Sequence, residues 1–194
     1  MARRLPAIPA FLALTLLSVL CAAPALALPP AGSPLPEMAI AEPQGPGAAA
    51  YLGIPADAKT FHIEDVHSPY VLVQLFNAYC PHCQAEAPDL EKLFLEVSRG
   101  ALRDRLKILA VGMGNTPFEV KLFRDKYKLT LPMSTDADYA VHKCMGEPGT
   151  PSYVLVRNPR KKGEKPVVVF EQEGRFDDEA QFLKTLRAAM DADK

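Results

Sequence analysis

The stretch that decides the fold is Val71-Leu72-Val73-Gln74-Leu75-Phe76-Asn77-Ala78-Tyr79-Cys80-Pro81-His82-Cys83-Gln84-Ala85-Glu86-Ala87-Pro88. Residues 71–76 are apolar except for Gln74, which predicts a buried strand. From 81 to 98 the pattern changes. Leu90, Leu93, Phe94 and Val97 fall at i, i+3, i+4 and i+7, one face of a helix. Two cysteines three apart therefore stand where a buried strand hands over to a helix.

That placement carries more information than the motif itself. Cysteines on the first turn of a helix are close enough to form a small disulfide ring. The helix N-terminus offers unpaired N–H groups and the positive end of the dipole. Both stabilise a thiolate, the attacking species in exchange chemistry. Cys80 is the expected nucleophile. Cys83, one turn inside, is the expected resolving thiol of a Cys80–Cys83 disulfide. Other readings compete. A zinc knuckle needs two more ligands at paired spacing, and no second C-x-x-C exists. A c-type haem needs His after the second Cys, where Gln84 stands. A structural disulfide, or a copper-binding module using both cysteines and a His, stays open. No metal and no cofactor is expected.

Working outward, Ile108–Val111 predicts a second buried strand. Thr116-Pro117-Phe118-Glu119 is a capping box with Pro at the first helical position, so a helix starts there and runs to about Tyr127. A short helix near 137–145 is stopped by Gly146. Tyr153–Val156 and Val167–Phe170 flank a polar turn and read as an antiparallel hairpin. A last helix spans about 177–191, with Leu183, Leu186 and Met190 on one face. A parallel crossover followed by a hairpin implies an α/β fold, a mixed central sheet with helices on both faces.

Before this body the composition differs. Arg3 and Arg4 precede an uncharged apolar run from Phe11 to Ala23, and Ala25-Leu26-Ala27 supplies small residues for cleavage. Residues 1–27 read as a secretory signal peptide. The alternative is an uncleaved anchor, but Pro24 shortens the run below the roughly 20 residues a spanning helix needs. Cleavage removes Cys21 and leaves Cys80, Cys83 and Cys144, an odd count for an exported chain. No membrane span is expected after cleavage, and a periplasmic or otherwise exported location follows. Residues 28–58 are rich in Pro and Ala with no hydrophobic period, and predict a tether or loosely packed arm. The folded domain is placed at 59–194. The formal net charge of −1 gives no basic field for nucleic acid.

Tyr79, Cys80, Cys83, Gln84, Glu86 and Pro88 resemble, in order, the active-site segment of thioredoxin-like proteins of the exported TlpA/ResA type, with Tyr79 replacing the usual Trp. Gly149-Thr150-Pro151 before a strand resembles that family's cis-proline loop, and residues 115–141 resemble its extra helical segment. The resemblance covers roughly residues 60–190. It implies a thioredoxin fold and a thiol–disulfide oxidoreductase acting on protein thiols and disulfides, recharged by an upstream redox donor. It leans toward a reductase, for example of haem-attachment cysteines in cytochrome c maturation. The central pair Pro81-His82 resembles the oxidase DsbA instead and pulls toward oxidation or isomerisation. Thr150 and Pro151 are then expected to face Cys80 and dock substrate, with a cis bond between them. Gln74 stands where thioredoxin has an acidic residue six before the first Cys, so no buried carboxylate is expected at that position.

The remaining residues have two readings each. His82 either stabilises the Cys80 thiolate or is simply exposed. Glu86 either assists proton transfer or partner choice, as the resemblance implies, or is an exposed first-turn acid favoured by the dipole. Pro88 is structural and should kink the helix. Arg157, Arg160, Lys161, Lys162 and Lys165 read as a solvated hairpin turn rather than a docking patch. His62, His67 and His142 show no metal-ligand spacing and are expected at the surface. Cys144 continues the apolar spacing of Ala137, Ala140 and Val141, which predicts a buried, unpaired thiol.

Overall fold

A computed structural model of the chain describes residues 27–161 and 163–193. The expected signal sequence lies outside the described residues up to position 26, as does Lys162.

The core sheet is built around β3 (Tyr70–Phe76), every residue of which is buried. β4 (Leu106–Met113) and β5 (Met133–Asp136) continue in parallel on one side. β6 (Ser152–Arg157) and β7 (Val167–Glu173) follow antiparallel on the other, giving the order β5-β4-β3-β6-β7. A central strand covered on both faces has no use for polar alternation, which is why residues 71–76 read as one apolar run.

Side-chain parity divides this sheet between two cores. Leu72 and Phe76 face α2 (Pro81–Arg99), α3 (Pro117–Tyr127) and α5 (Glu179–Ala192), with Leu90, Leu93, Phe123 and Leu186 buried among them. Val71, Val73 and Leu75 face the other way, toward α4 (Ala140–Cys144) and α1 (Ala48–Leu52). The expected mixed sheet with helices on both faces is thus present. The Thr116 capping box forms, with the Thr116 side chain accepting from the Glu119 amide. Pro88 lies inside α2, which continues through it.

The arm before this body is not the loose tether the prolines suggested. Leu28, Leu35, Met38, Ile40, Leu52 and Ile54 are all buried in the second core. β1 (Ile40–Ala41) pairs with β2 (Thr60–Phe61). The Gly32 amide donates to Val168 O at 2.8 Å, and the Leu35 amide to Pro166 O at 2.8 Å, along the free edge of β7. At the opposite edge Gln44 and Met133 of β5 exchange backbone bonds at 2.6 and 3.1 Å. The arm therefore covers both edges of the sheet, whose unpaired backbone would otherwise template aggregation. Its apolar residues are spaced irregularly because irregular backbone, not a helix or strand, carries them.

Cys144 is also corrected. It is exposed, with Sγ 3.9 Å from the Glu37 carbonyl. The short helix begins only at Ala140, so Ala137 precedes it, and Val141 is the one α4 residue buried against the sheet. The i, i+3, i+4, i+7 spacing had no helix long enough to express it.

Candidate active site

Cys80 is the N-cap of α2, and Pro81 occupies the first helical position, where its missing N–H costs nothing. The turn ahead of Cys80 is pinned to the end of β4. Asn77 Nδ2 donates to Met113 O at 2.8 Å, and Asn115 Oδ1 accepts from the Ala78 amide at 2.9 Å. Asn77 Oδ1 also accepts from the Tyr79 amide at 2.9 Å. These two asparagines were not singled out in the sequence, because nothing local marks them.

The two cysteines are unlike. Cys80 is half-buried at the surface end of the helix, Cys83 is buried beneath it, and both are free thiols. Burial pushes the Cys80 thiol up, but hydrogen bonds from the Cys83 amide, Thr150, the Cys83 thiol and the His82 amide outweigh it. The net result is a pKa below the ordinary thiol value. Burial is also the largest influence on Cys83, and there it prevails, pushing the thiol up to about 12. Cys80 is thus the more acidic thiol of the pair. The His82 side chain is exposed, and its contribution to Cys80 comes through its backbone N–H.

Thr150 and Pro151 meet this pair from the loop just ahead of β6. The Cys80 thiol donates to the Thr150 carbonyl at 3.1 Å, and the Thr150–Pro151 peptide bond is cis. Beside Cys80, an apolar groove is lined by Ala78, Tyr79, Gln84, Leu122, Phe123 and Tyr127. Tyr79 is 67% exposed and donates its hydroxyl to Glu119.

Glu86 is not the exposed first-turn acid. It is fully buried one turn below Cys83. Gln74 Nε2 donates to its Oε2 at 3.3 Å, the Tyr153 hydroxyl donates to the same oxygen, and the Phe176 amide donates to Oε1 at 2.9 Å. Burial raises the Glu86 pKa above its ordinary 4.5. The bonds from Tyr153, Phe176 and Gln74 and the charge of Arg175 pull it back only in part. Position 74 carries no carboxylate, but its amide holds one that arrives from α2. Tyr153 was missed as a site residue. Its role depends on the β3–β6 register, which sets it opposite Gln74.

The other candidates lie elsewhere. Arg157 and Arg160 pair with Asp193 at 2.8 and 3.4 Å, and Lys161 and Lys165 are exposed on the hairpin turn. His142 is half-buried, with Nε2 2.9 Å from Pro148 O, whereas His67 is exposed and His62 sits beside a 3-10 turn. Among the described residues no group of three or more His, Cys, Asp or Glu is placed to hold a metal ion, and no helix is long and apolar enough to cross a membrane.

The chain is similar to known proteins in sequence and in fold. The chain is 25% identical over 100 residues to the thiol-disulfide oxidoreductase ResA of Halalkalibacterium halodurans, covering 52% of this chain and 54% of that protein. It is 29% identical over 80 residues to ResA of Oceanobacillus iheyensis, covering 41% of this chain and 40% of that one. It thus spans about half or less of the length of these curated relatives. Among solved structures, a secreted Mycobacterium tuberculosis disulfide oxidoreductase homologous to E. coli DsbE superposes with a TM-score of 0.51 at 17% identity, covering 68% of this chain and 90% of that one. The sheet order and this likeness make the fold thioredoxin-like. The AhpC/TSA family description matches residues 44–174, more than half of the sequence, and the chain belongs to that family.

Proposed function

We propose that the protein is an extracytoplasmic thiol–disulfide oxidoreductase that exchanges disulfides with protein substrates through Cys80 and Cys83. The observation that carries this reading is the asymmetry of the pair. Cys80 is accessible with a lowered pKa, while Cys83 is buried with a pKa of about 12. The Cys80 thiolate attacks one sulfur of the substrate disulfide, breaking that S–S bond, releasing the other sulfur as a thiolate and leaving a mixed disulfide on Cys80. The second thiol must then lose its proton to attack Cys80 Sγ, closing the Cys80–Cys83 disulfide and expelling the substrate thiolate. Glu86, buried one turn below Cys83 with a raised pKa, is the group we assign to that proton. Thr150 and the apolar groove around Tyr79 supply a surface for an extended polypeptide carrying the disulfide.

In the reductive direction the pair leaves each cycle oxidised, so an upstream thiol donor must restore it. The ResA likeness favours this direction, with cytochrome c maturation as the setting. One observation favours oxidation instead: a stabilised Cys80 thiolate stabilises the reduced form and raises the potential, the effect expected of a Pro81-His82 pair. The equilibrium potential of the couple against glutathione separates the two. A value near or below that of thioredoxin, about −270 mV, supports the reductase, and one approaching about −120 mV supports the oxidase. Stoichiometric metal in the reduced protein, with no insulin-disulfide reduction, would replace both with a metal-binding role. Export is tested by sequencing the N-terminus of protein recovered from the cell envelope. A start at Leu28 agrees with cleavage after Ala27, whereas retained Arg3 refutes it.

A further inference from the structure

The loop over Cys80 is held by a side chain from the far edge of the sheet. β7 ends at Glu173, which the register sets opposite Ser152 of β6. Its Oε1 accepts from the Gly149 amide at 2.8 Å. Glycine permits this approach, because a Cβ at 149 would lie 2.6 Å from the same oxygen. Ser152 Oγ donates to the Gly149 carbonyl at 2.7 Å, and the Gly174 amide donates to Pro151 O at 2.8 Å. Between these anchors sits Thr150, whose carbonyl lies 3.1 Å from Cys80 Sγ. The same turn continues to Phe176, whose amide meets Glu86 at 2.9 Å.

We propose that Glu173 is a positioning residue for thiol exchange. Its carboxylate fixes the Gly149 N–H and so sets the Thr150 backbone against Cys80, where the polypeptide carrying the disulfide must lie. The proposal rests on the redox reading of Cys80 and Cys83. An N–H has one hydrogen to give, and at Gly149 it goes to Glu173. Without that acceptor the N–H turns to water, and the loop can shift by the ångström that matters for a docked substrate. What Glu173 supplies is an acceptor oxygen rather than a charge, so glutamine can take its place and alanine cannot.

The test compares Glu173→Ala, Glu173→Gln and Gly149→Ala with the unaltered full chain. Three quantities are read: NMR hydrogen exchange at the loop amides, the pH midpoint of Cys80 alkylation, and KM and kcat for a peptide disulfide. Glu173→Ala should speed Gly149 exchange and raise KM about fivefold, the worth of one ordinary hydrogen bond, with a smaller change in kcat. Glu173→Gln should restore both. Gly149→Ala should raise KM as Glu173→Ala does, because the new Cβ displaces the carboxylate. Unchanged Gly149 exchange in Glu173→Ala, an unchanged KM once the amide is released, or a Gln variant as impaired as Ala would each overturn the proposal. If the unaltered protein exchanges no disulfide, the redox reading falls. The positioning role is then decided by Gly149 exchange and the Cys80 midpoint, both of which Glu173→Ala must move and Glu173→Gln must not.

Discussion

Gln74 Nε2 lies 3.3 Å from Glu86 Oε2, joining the middle of β3 to the second turn of α2 inside the core beneath the two cysteines. Neither residue is exposed, and the carboxylate has three donors but, among the described residues, no buried cation beside it. This arrangement ties the stability of the fold to pH.

The Glu86 pKa is raised in the folded state, with burial as the main cause. Between the ordinary 4.5 and the raised value, the folded state therefore holds a proton that the unfolded state has lost. The stabilisation from neutral Glu86 is complete below 4.5 and is lost as pH rises through the folded pKa. Glu86→Gln lacks this titration. Denaturant unfolding of both proteins at pH 4 and pH 8 should show the wild type losing stability relative to Glu86→Gln on going to pH 8. A difference independent of pH would refute the raised pKa.

Tyr153→Phe removes one of the three donors to Glu86 and the acceptor of a 3.0 Å bond from Gln74. A buried carboxylate short of a donor costs about 1–3 kcal/mol. Urea unfolding at neutral pH should show that loss. The Glu86 pKa should also rise further, because the Tyr153 bond lowers it.

Cys80→Ser should abolish insulin-disulfide reduction. Cys83→Ser should instead accumulate mixed disulfides at Cys80, visible on non-reducing gels. In the reduced wild type, iodoacetamide should label Cys80 at lower pH than Cys83, whose thiol stands at about 12. Reversed labelling would exchange the roles assigned to the two thiols.

Cys144 is exposed. It should be alkylated in the native oxidised protein, and Cys144→Ala should change stability by no more than about 0.5 kcal/mol, the range of a surface substitution. A loss of several times that would return Cys144 to the core.

Leu52 of α1 is fully buried in the second core. Leu52→Ala should cost about 2–5 kcal/mol in chemical denaturation, the usual range for a buried leucine. A change near zero would mean that the arm is a tether after all.

Some of this was legible along the chain. The strand at 71–76, the helix from 81, the Thr116 capping box and the final hairpin are each fixed by residues close together in sequence, and each formed as expected. β5 was missed because Met133–Asp136 is four residues long and carries Ser134 and Asp136 at buried positions. Ser134 Oγ is satisfied from 93 positions away, by Ala41 O at 2.9 Å, and Asp136 from the following helix, by the Val141 and His142 amides, each at 2.9 Å. So short and half-polar a segment shows no hydrophobic period, and pairing with β4 makes it strand.

The site divides along the same line. Local sequence alone determined that Cys80 and Cys83 stand at the start and on the first turn of a helix behind a buried strand, since three residues' spacing and one helix dipole suffice. Tertiary structure decided what surrounds them. Thr150 reaches Cys80 across 70 positions, Tyr153 reaches Glu86 across 67, and Glu173 reaches Gly149 across 24. Strand register sets these meetings, and a shift of one residue would turn each side chain to the opposite face. Hydrophobic periodicity shows which residues share a face, but not which strand lies alongside. The burial that raises the Cys83 thiol, and the burial of Glu86, therefore came into view only once the sheet was assembled.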